Sequence, residues 1–374
     1  VKILAAVAPG EVRVAAVDGA SLVDYALWRP GSPDGVGDLY RGRVRACMPA
    51  LGGAFVALGG VDGFLPDSEG AATVSEGVVL GVRVSRAAQG GKGPRLTARL
   101  DEDEQRAAAT VTGGPKGNQG LLRRGLGAVE RLAAFYPDAA VIVDDAALAA
   151  TLRPALGERL GIVSAAFDDA IETAVEALSE PVAELPGGAR MSVHPTPALT
   201  AIDVDLGAAT ADRRSKQAAQ VAANTALLPV LARQIRLRNL SGAILVDLAG
   251  LTPRRRGALG PVLAAALQLD PLRPRLLGFT ALGLAEIVRT RVHPPLHELL
   301  VGPLAAGLAA LRFAAATVAA TPAWLPSLAA APEVIAALEA DRVALTEFAR
   351  RAGRAVRLRA ERALSPCGWR LDAA

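Results

Sequence analysis

Two short runs of β-branched and aliphatic residues each carry an aspartate at their end. The first is Leu199-Thr200-Ala201-Ile202-Asp203-Val204-Asp205-Leu206-Gly207, the second Ala243-Ile244-Leu245-Val246-Asp247-Leu248. Runs of this kind read as buried strands. A lone carboxylate ending a buried strand is costly unless a cation or hydrogen-bond donors meet it. If the two strands converge, Asp203 and Asp247 make a small oxygen-lined site suited to Mg²⁺. The stretch between them supplies Arg213, Arg214, Lys216, Arg233, Arg236 and Arg238. Cations beside such a site suit a phosphate-bearing substrate.

The rest of the sequence narrows the class. A chain of 374 residues is long enough for two or three domains. Hydrophobic residues are 51% but aromatics only 3%, so much of the apolar content is alanine, as in a globular protein of biased composition. A net charge of +4 permits a nucleic-acid partner without demanding one. Two cysteines, Cys47 and Cys367, exclude a disulfide framework and a four-cysteine zinc site. The expected setting is the reducing cytoplasm. The apolar run at the N-terminus is too short for a signal peptide. Between residues 299 and 332 the only charge is Arg312, but the stretch is rich in Ala, Gly and Pro, and Pro322 and Pro326 interrupt it. No membrane span is expected there.

Taken in order, residues 1–7, 11–17 and 21–28 predict a strand meander punctuated by Pro-Gly and Asp-Gly. Residues 36–100 hold five short strands with glycine turns, which suits an OB-fold barrel. Phe55 and Phe64 are either core residues of that barrel or faces on which bases stack. Arg41, Arg43, Arg45 and Lys92 are either phosphate contacts or ordinary solvated charges. Residues 101–117, acidic and then glycine-rich, form a connector whose Asp101-Glu102-Asp103-Glu104 run is a solvated face or a helix start. Residues 118–187 alternate helix and strand: helices at 121–136, 145–156 and 168–178, strands at 139–143 and 161–163. A turn at Leu185-Pro186-Gly187-Gly188 leads to a strand at 189–193 and then to the Asp203 strand. Residues 218–238 predict one long helix, in which Pro229 makes a kink or sits near a turn and Asn224 is a polar contact to the site. A second helix runs from 252 to 269. Its opening triplet Arg254-Arg255-Arg256 opposes the helix dipole, which a phosphate partner would explain as readily as solvation would. A strand at 275–278 and a helix at 285–291 follow. Residues 300–374 predict helix 302–319, strand 323–328, helix 333–353 and strands 356–359 and 368–371, with a basic surface of arginines.

The Asp203 run, Ala232-Arg233-Gln234-Ile235-Arg236-Leu237-Arg238-Asn239-Leu240 and Gly242-Ala243-Ile244-Leu245-Val246-Asp247 closely resemble the ribonuclease E/G family. Residues 37–44, 54–59 and 63–66 resemble its OB-fold insertion, and 282–291 the segment closing its catalytic region. Residues 300–374 resemble its small C-terminal domain more loosely. The resemblance implies an α+β multidomain fold. An RNase H-like domain (1–35 and 118–182) is interrupted by the OB-fold barrel (36–100) and a connector (101–117). A DNase I-like α/β catalytic domain (183–299) and a small C-terminal α/β domain (300–374) follow. It implies a Mg²⁺-dependent endoribonuclease acting on single-stranded RNA, with Mn²⁺ able to substitute. Asp203 and Asp247 fall on its metal-binding aspartates, and Phe55, Phe64 and Lys92 on positions that hold RNA.

Three departures from the family pattern alter the expectation. Asp205 stands where the family has Asn, so it would hold the metal or the nucleophile where an amide would hydrogen-bond. The connector from Ala98 to Gln119 is too short for the family's subdomain that senses an RNA 5′ phosphate, so cleavage should be indifferent to the 5′ end. The family's Cys-x-x-Cys zinc link is absent, so no zinc is expected and any homo-oligomer forms without that link.

The expected chemistry is hydrolysis of an RNA phosphodiester, with Asp203, Asp205 and Asp247 catalytic and Asp203 and Asp247 holding Mg²⁺. Arg213, Arg214 and Arg289 would neutralise phosphate, with Phe55, Phe64, Lys92, Arg41 and Arg43 on the RNA path. Two alternatives belong to other classes. One is an RNA-binding protein with weak or lost nuclease activity. The other is an unrelated Mg²⁺ phosphohydrolase of small molecules, which leaves the barrel unexplained.

Overall fold

Strands β1 (Lys2–Ala8), β2 (Glu11–Asp18) and β3 (Ser21–Trp28) form an antiparallel meander, as the alternation and turn residues of that stretch predict. They open a computed structural model that describes residues 1–109, 119–207 and 216–373. The chain divides into two compact units: Pro33–Gly127 with Arg291–Pro294, and Val1–Ser32 with Ala128–Thr290 and Pro295–Ala374.

In the smaller unit, β4 (Leu39–Met48), β5 (Gly53–Ala57), β6 (Asp62–Pro66), β7 (Val79–Arg86) and β8 (Arg95–Thr97) close into a five-stranded barrel. Around the barrel the order is β4-β5-β6-β8-β7 and back to β4, with β6 and β8 parallel and the other pairs antiparallel. This is the OB-type barrel expected between residues 36 and 100. Val44, Ala54, Val56, Leu65, Val82, Val84 and Leu96 fill it. The acidic run that follows is the start of a helix, α1 (Glu102–Ala109), one of the two readings its sequence allows. Asp101 and Glu104 cap each other's backbone N–H groups at 2.8 and 3.1 Å, the reciprocal arrangement that starts helices. Glu104 also fixes the helix to the barrel through Arg83 at 2.7 Å.

Helical spacing from residue 121 onward does not produce one helix. Gly120-Leu121-Leu122-Arg123 instead adds strand β9 (Gly120–Arg123) to the edge of β4. Helix α2 (Ala128–Phe135) begins only after Gly125 and Gly127, which break the backbone more cheaply than they extend a helix. In the larger unit come β10 (Ala140–Val143), α3 (Ala146–Leu156), β11 (Leu160–Ile162) and α4 (Asp169–Glu176), with Asp145 and Asp168 as side-chain caps. The sheet order is β11-β10-β1-β2-β3, in which β1, β10 and β11 run parallel. Helices cover both faces. Ile3, Val12, Val14, Val141 and Val143 meet α2 and α3, while Ala6, Ala15, Val17 and Tyr25 meet α4.

The central sheet uses β12 (Val182–Leu185), β13 (Ala189–Pro195), β14 (Thr200–Asp205), β15 (Gly242–Asp247), β16 (Arg275–Phe279) and β17 (Ala285–Arg289) in the order β12-β13-β14-β15-β17-β16. Only β14 and β15 run parallel in it. They are connected by α5 (Lys216–Leu237), whose Leu227, Leu228, Leu231, Ala232 and Ile235 pack on Ile202, Val204, Ile244 and Val246. Pro229 sits inside this helix without ending it, because burial of those side chains outweighs one missing hydrogen bond. The predicted helix at 252–269 is broken into α6 (Pro253–Arg256), a 3₁₀ turn and α7 (Gly260–Leu267). Residues 285–289, predicted helical, are strand β17 between β15 and β16.

A last subassembly follows the short α8 (Leu296–Leu299): α9 (Pro303–Ala320), β18 (Pro326–Ala330), α10 (Pro332–Ala340), α11 (Arg342–Ala352), β19 (Arg357–Ala360) and β20 (Trp369–Ala373). The predicted helix at 333–353 is two helices because Asp341 leaves helical geometry and caps α11. By length and composition α9 could cross a membrane. Here Leu308, Leu311, Ala314 and Val318 of α9 are buried, and the first three join the core of the subassembly.

Candidate functional site

Period-two alternation decides what β14 and β15 present. Ile202 and Val204 of β14, and Ile244 and Val246 of β15, face the helices and are buried. Asp203, Asp205 and Asp247 therefore lie on the opposite face. The parallel register pairs Asp203 directly with Asp247. The convergence expected from the sequence is thus present as nearest-neighbour pairing, at the carboxyl ends of the only two parallel strands in the sheet. Asp203 is exposed and the Asp247 side chain is 48% accessible, so both can meet a solute.

Asp205 is placed differently. It lies two residues on, about 7 Å further along the strand. Its Oδ1 accepts from the backbone N–H of Gly207 at 2.9 Å, and its cross-strand neighbour is Arg190. Among the described residues no three acidic, histidine or cysteine side chains gather as a metal cage. Two neighbouring carboxylates nevertheless fit Mg²⁺, which is commonly held by one or two carboxylates with water and substrate phosphate completing the shell.

Arg256 completes the immediate surroundings. Its Nη1 donates to Asp247 Oδ1 at 2.6 Å and to the carbonyl of Gly283 at 3.2 Å, and its Nε donates to the carbonyl of Leu251 at 2.9 Å. Three acceptors from three segments fix this guanidinium with only 12% of its side chain accessible. In the sequence it was one of a triplet, and the signal available was that α6 opens only a few residues beyond β15, within reach of Asp247. Ser192 of β13 is the cross-strand neighbour of Asp203, and its hydroxyl lies 3.0 Å from His194 Nε2. Alternation of β13 around buried Met191 and Val193 would have placed both on this face.

Other predicted residues do not join the pair. Arg213 and Arg214 lie outside the described residues. Arg289 is a correction. It is 4% exposed on the core face of β17, ion-paired with Asp270 at 2.7 Å and donating to Asn239 Oδ1 at 2.6 Å. A guanidinium so engaged holds the fold and is not offered to phosphate. Asn224 is 1% exposed and donates to the carbonyls of Gln220 and Ala249, tying α5 to the chain just beyond Asp247.

On the barrel, Phe55 and Phe64 are cross-strand neighbours on the outer face, their rings edge to face at 5.5 Å between centroids. Both are half-buried while Ala54, Val56 and Leu65 fill the interior, so the pair is not the barrel core. Gly53 is needed beneath it: a Cβ there would come within 2.6 Å of the Phe64 ring. Lys92 is exposed in the β7–β8 loop. Arg41 is half-buried, and Arg43 donates to the carbonyl of Gly77 at 2.8 Å.

Residues 149–292 match the family model described as Ribonuclease E/G family, a span that includes both aspartates and Arg256. Ribonuclease E of Nostoc sp. (strain PCC 7120) is 34% identical over 130 residues, covering 34% of this chain and 19% of that protein. Ribonuclease E of Escherichia coli (strain K12) is 25% identical over 390 aligned residues, covering 77% of this chain and 36% of that protein. Ribonuclease G of the same organism is 31% identical over 132 residues, covering 35% and 27%. The chain thus spans well under half the length of these relatives. The likeness to the ribonuclease E/G family is thus carried by residues 149–292, which build the paired-aspartate face.

Proposed function

We propose that this chain is a Mg²⁺-dependent endoribonuclease that hydrolyses phosphodiester bonds in single-stranded RNA, in RNA processing or decay. The observation that carries the reading is the register pairing of Asp203 with Asp247 on an open face. Two adjacent, accessible carboxylates create a locally negative patch that a divalent cation would neutralise. The ion would supply Lewis-acid polarisation of the phosphate and an activated water. Asp203 and Asp247 would hold it through oxygens facing the same side of the sheet. Arg256 would keep Asp247 oriented and present positive charge where a phosphate would lie. Asp205, one pleat away, would orient water and would not share the ion directly. Phe55 and Phe64 would stack unpaired bases, with Lys92 beside them and Arg41 and Arg43 further along the barrel. The larger unit's first sheet would be the RNase H-like part of the arrangement, and the central sheet the DNase I-like part. The relatives' names, Ribonuclease E and Ribonuclease G, support RNA as the substrate.

A second reading, RNA binding without turnover, is favoured by one observation: Asp247 already has a cationic partner in Arg256 at 2.6 Å. One experiment separates them. Purified chain is incubated with Mg²⁺ and a single-stranded A/U-rich RNA, beside Asp203→Asn and Asp247→Asn. The nuclease reading expects cleavage by the parent chain and a loss of at least about 100-fold in each variant, a size common for loss of a group that stabilises transition-state charge. Equal cleavage by all three would sink the assignment. RNA that is bound by the parent chain yet survives with Mg²⁺ or Mn²⁺ establishes the binding reading.

A further inference from the structure

The outer face of the barrel carries one row of side chains across four neighbouring strands. Phe55 of β5 pairs with Phe64 of β6, Phe64 with Arg95 of β8, and Arg95 with Arg86 of β7. Strands lie about 4.8 Å apart, so the row places two aromatic rings and then two guanidiniums at successive strand spacings. Arg86 and Arg95 are both exposed. No carboxylate pairs with either among the described residues. Like charges directly opposite one another on a sheet are destabilising. The pairing is made by a bulge between Val84 and Arg86. With regular alternation Ser85 would oppose Arg95, and Arg86 would point into the barrel. The bulge turns Arg86 outward to face a second arginine, and Ser85 secures it by donating to the carbonyl of Arg95 at 3.2 Å. Bulges re-aim side chains in this way at functional sites.

We propose that Arg86 and Arg95 form a phosphate clamp for single-stranded RNA, holding the backbone of a nucleotide whose base stacks on Phe64. This rests on the reading that the chain acts on RNA, and adds two contacts that the sequence did not single out. A phosphate placed between the two guanidiniums removes the repulsion that the free barrel carries, and both arginines present planar donor forks suited to its oxygens. The aromatic rings accept any base, so the clamp grips the backbone without selecting sequence.

The test measures binding of a short fluorescein-labelled single-stranded RNA to the whole chain by anisotropy, in EDTA so that no cleavage intervenes, between about 50 and 200 mM salt. Each phosphate contact on a single strand contributes about 0.7 to the slope of log K against log salt. Arg86→Gln and Arg95→Gln should each flatten that slope by about 0.7 and together by about 1.4. Arg95→Lys should keep it. Phe64→Leu should weaken binding about tenfold or more at unchanged slope. Thermal melting without RNA should show the glutamine variants as stable as the parent or more so, because a repulsion has been removed. A double variant with the parent's slope overturns the clamp while leaving the RNA reading intact. A parent chain that binds no single-stranded RNA overturns both.

Discussion

Asp24 on β3 shows how one buried group sets a pH dependence away from the candidate site. Burial pushes its pKa up to about 6; Arg236, 3.9 Å away, and the backbone N–H of Tyr25 pull in the other direction without cancelling it. Nearby Tyr136 is pushed up to about 12 by its own burial and by the charge of Asp24, so it stays a neutral donor. A carboxyl with a raised native pKa binds its proton more tightly folded than unfolded. Its contribution to stability is therefore fullest below the ordinary carboxylate range and is lost as pH rises through about 6. Asp24→Asn keeps the shape and removes the charge. We expect it to raise the melting temperature by roughly 2–4 °C near pH 8, with the gain shrinking through pH 6 and gone below about pH 4. A gain that persists at low pH, or a loss at pH 8, would show that Asp24 acts as a partner for Arg236 and not as a buried burden. Nothing in the local sequence singles out Asp24, because its environment is made by Arg236, far along the chain. Asp203 and Asp247 were legible for the opposite reason: each ends an apolar run, and a local pattern is enough to raise the question of what meets it.

At the scale of elements, regular alternation carried the reading and short ambiguous runs defeated it. β1, β2 and β3 follow turn residues and alternation, and the five barrel strands follow their glycines. Strand β17 did not: Ala285-Glu286-Ile287-Val288-Arg289 is too short to separate a period of two from one of 3.6. Only its position between β15 and β16 decides. That one error also misplaced Arg289, since a helix would have offered it to solvent whereas the strand turns it into the core. There its guanidinium faces Asp270 with both side chains 4% accessible. Removing one member of such a pair leaves an uncompensated buried charge. Arg289→Met is expected to lower unfolding free energy by about 3–5 kcal/mol in urea titration. Adding Asp270→Leu should recover much of the loss, because the second charge then disappears as well. RNA affinity of the folded Arg289→Met chain should match the parent's. A selective loss of RNA binding at parental stability would return Arg289 to the substrate path.

Over the whole molecule, the sequence conveyed the succession of folds better than it conveyed what fills the joints between them. The stretch after the barrel read as a spacer, yet much of it is α1, capped by Asp101, fixed to Arg83 through Glu104, and followed by β9, which returns to the barrel's own β4. Glu104 lies 3.4 Å from Arg123 on that returning strand, so the segment is consumed in finishing the barrel unit. Between α1 and β9 only residues 110–118 lie outside the described structure, too few for a domain with its own core. Between the barrel and β9 there is thus no room for a separate module that would inspect a distant RNA end. If the chain is the endoribonuclease proposed above, it should choose its cut from the unpaired bases that lie on the barrel and the phosphate beside the aspartates. We therefore expect 5′-monophosphorylated, 5′-hydroxyl and circular forms of one single-stranded RNA to be cleaved at rates within about threefold of each other, a difference of less than 1 kcal/mol. Initial rates at limiting enzyme measure this directly. A tenfold preference for the monophosphate would mean that end recognition has been moved onto the barrel or the central sheet, and the arginines exposed on those surfaces, Arg190 beside Asp205 and Arg86 and Arg95 beside Phe64, would be the first to substitute in locating it.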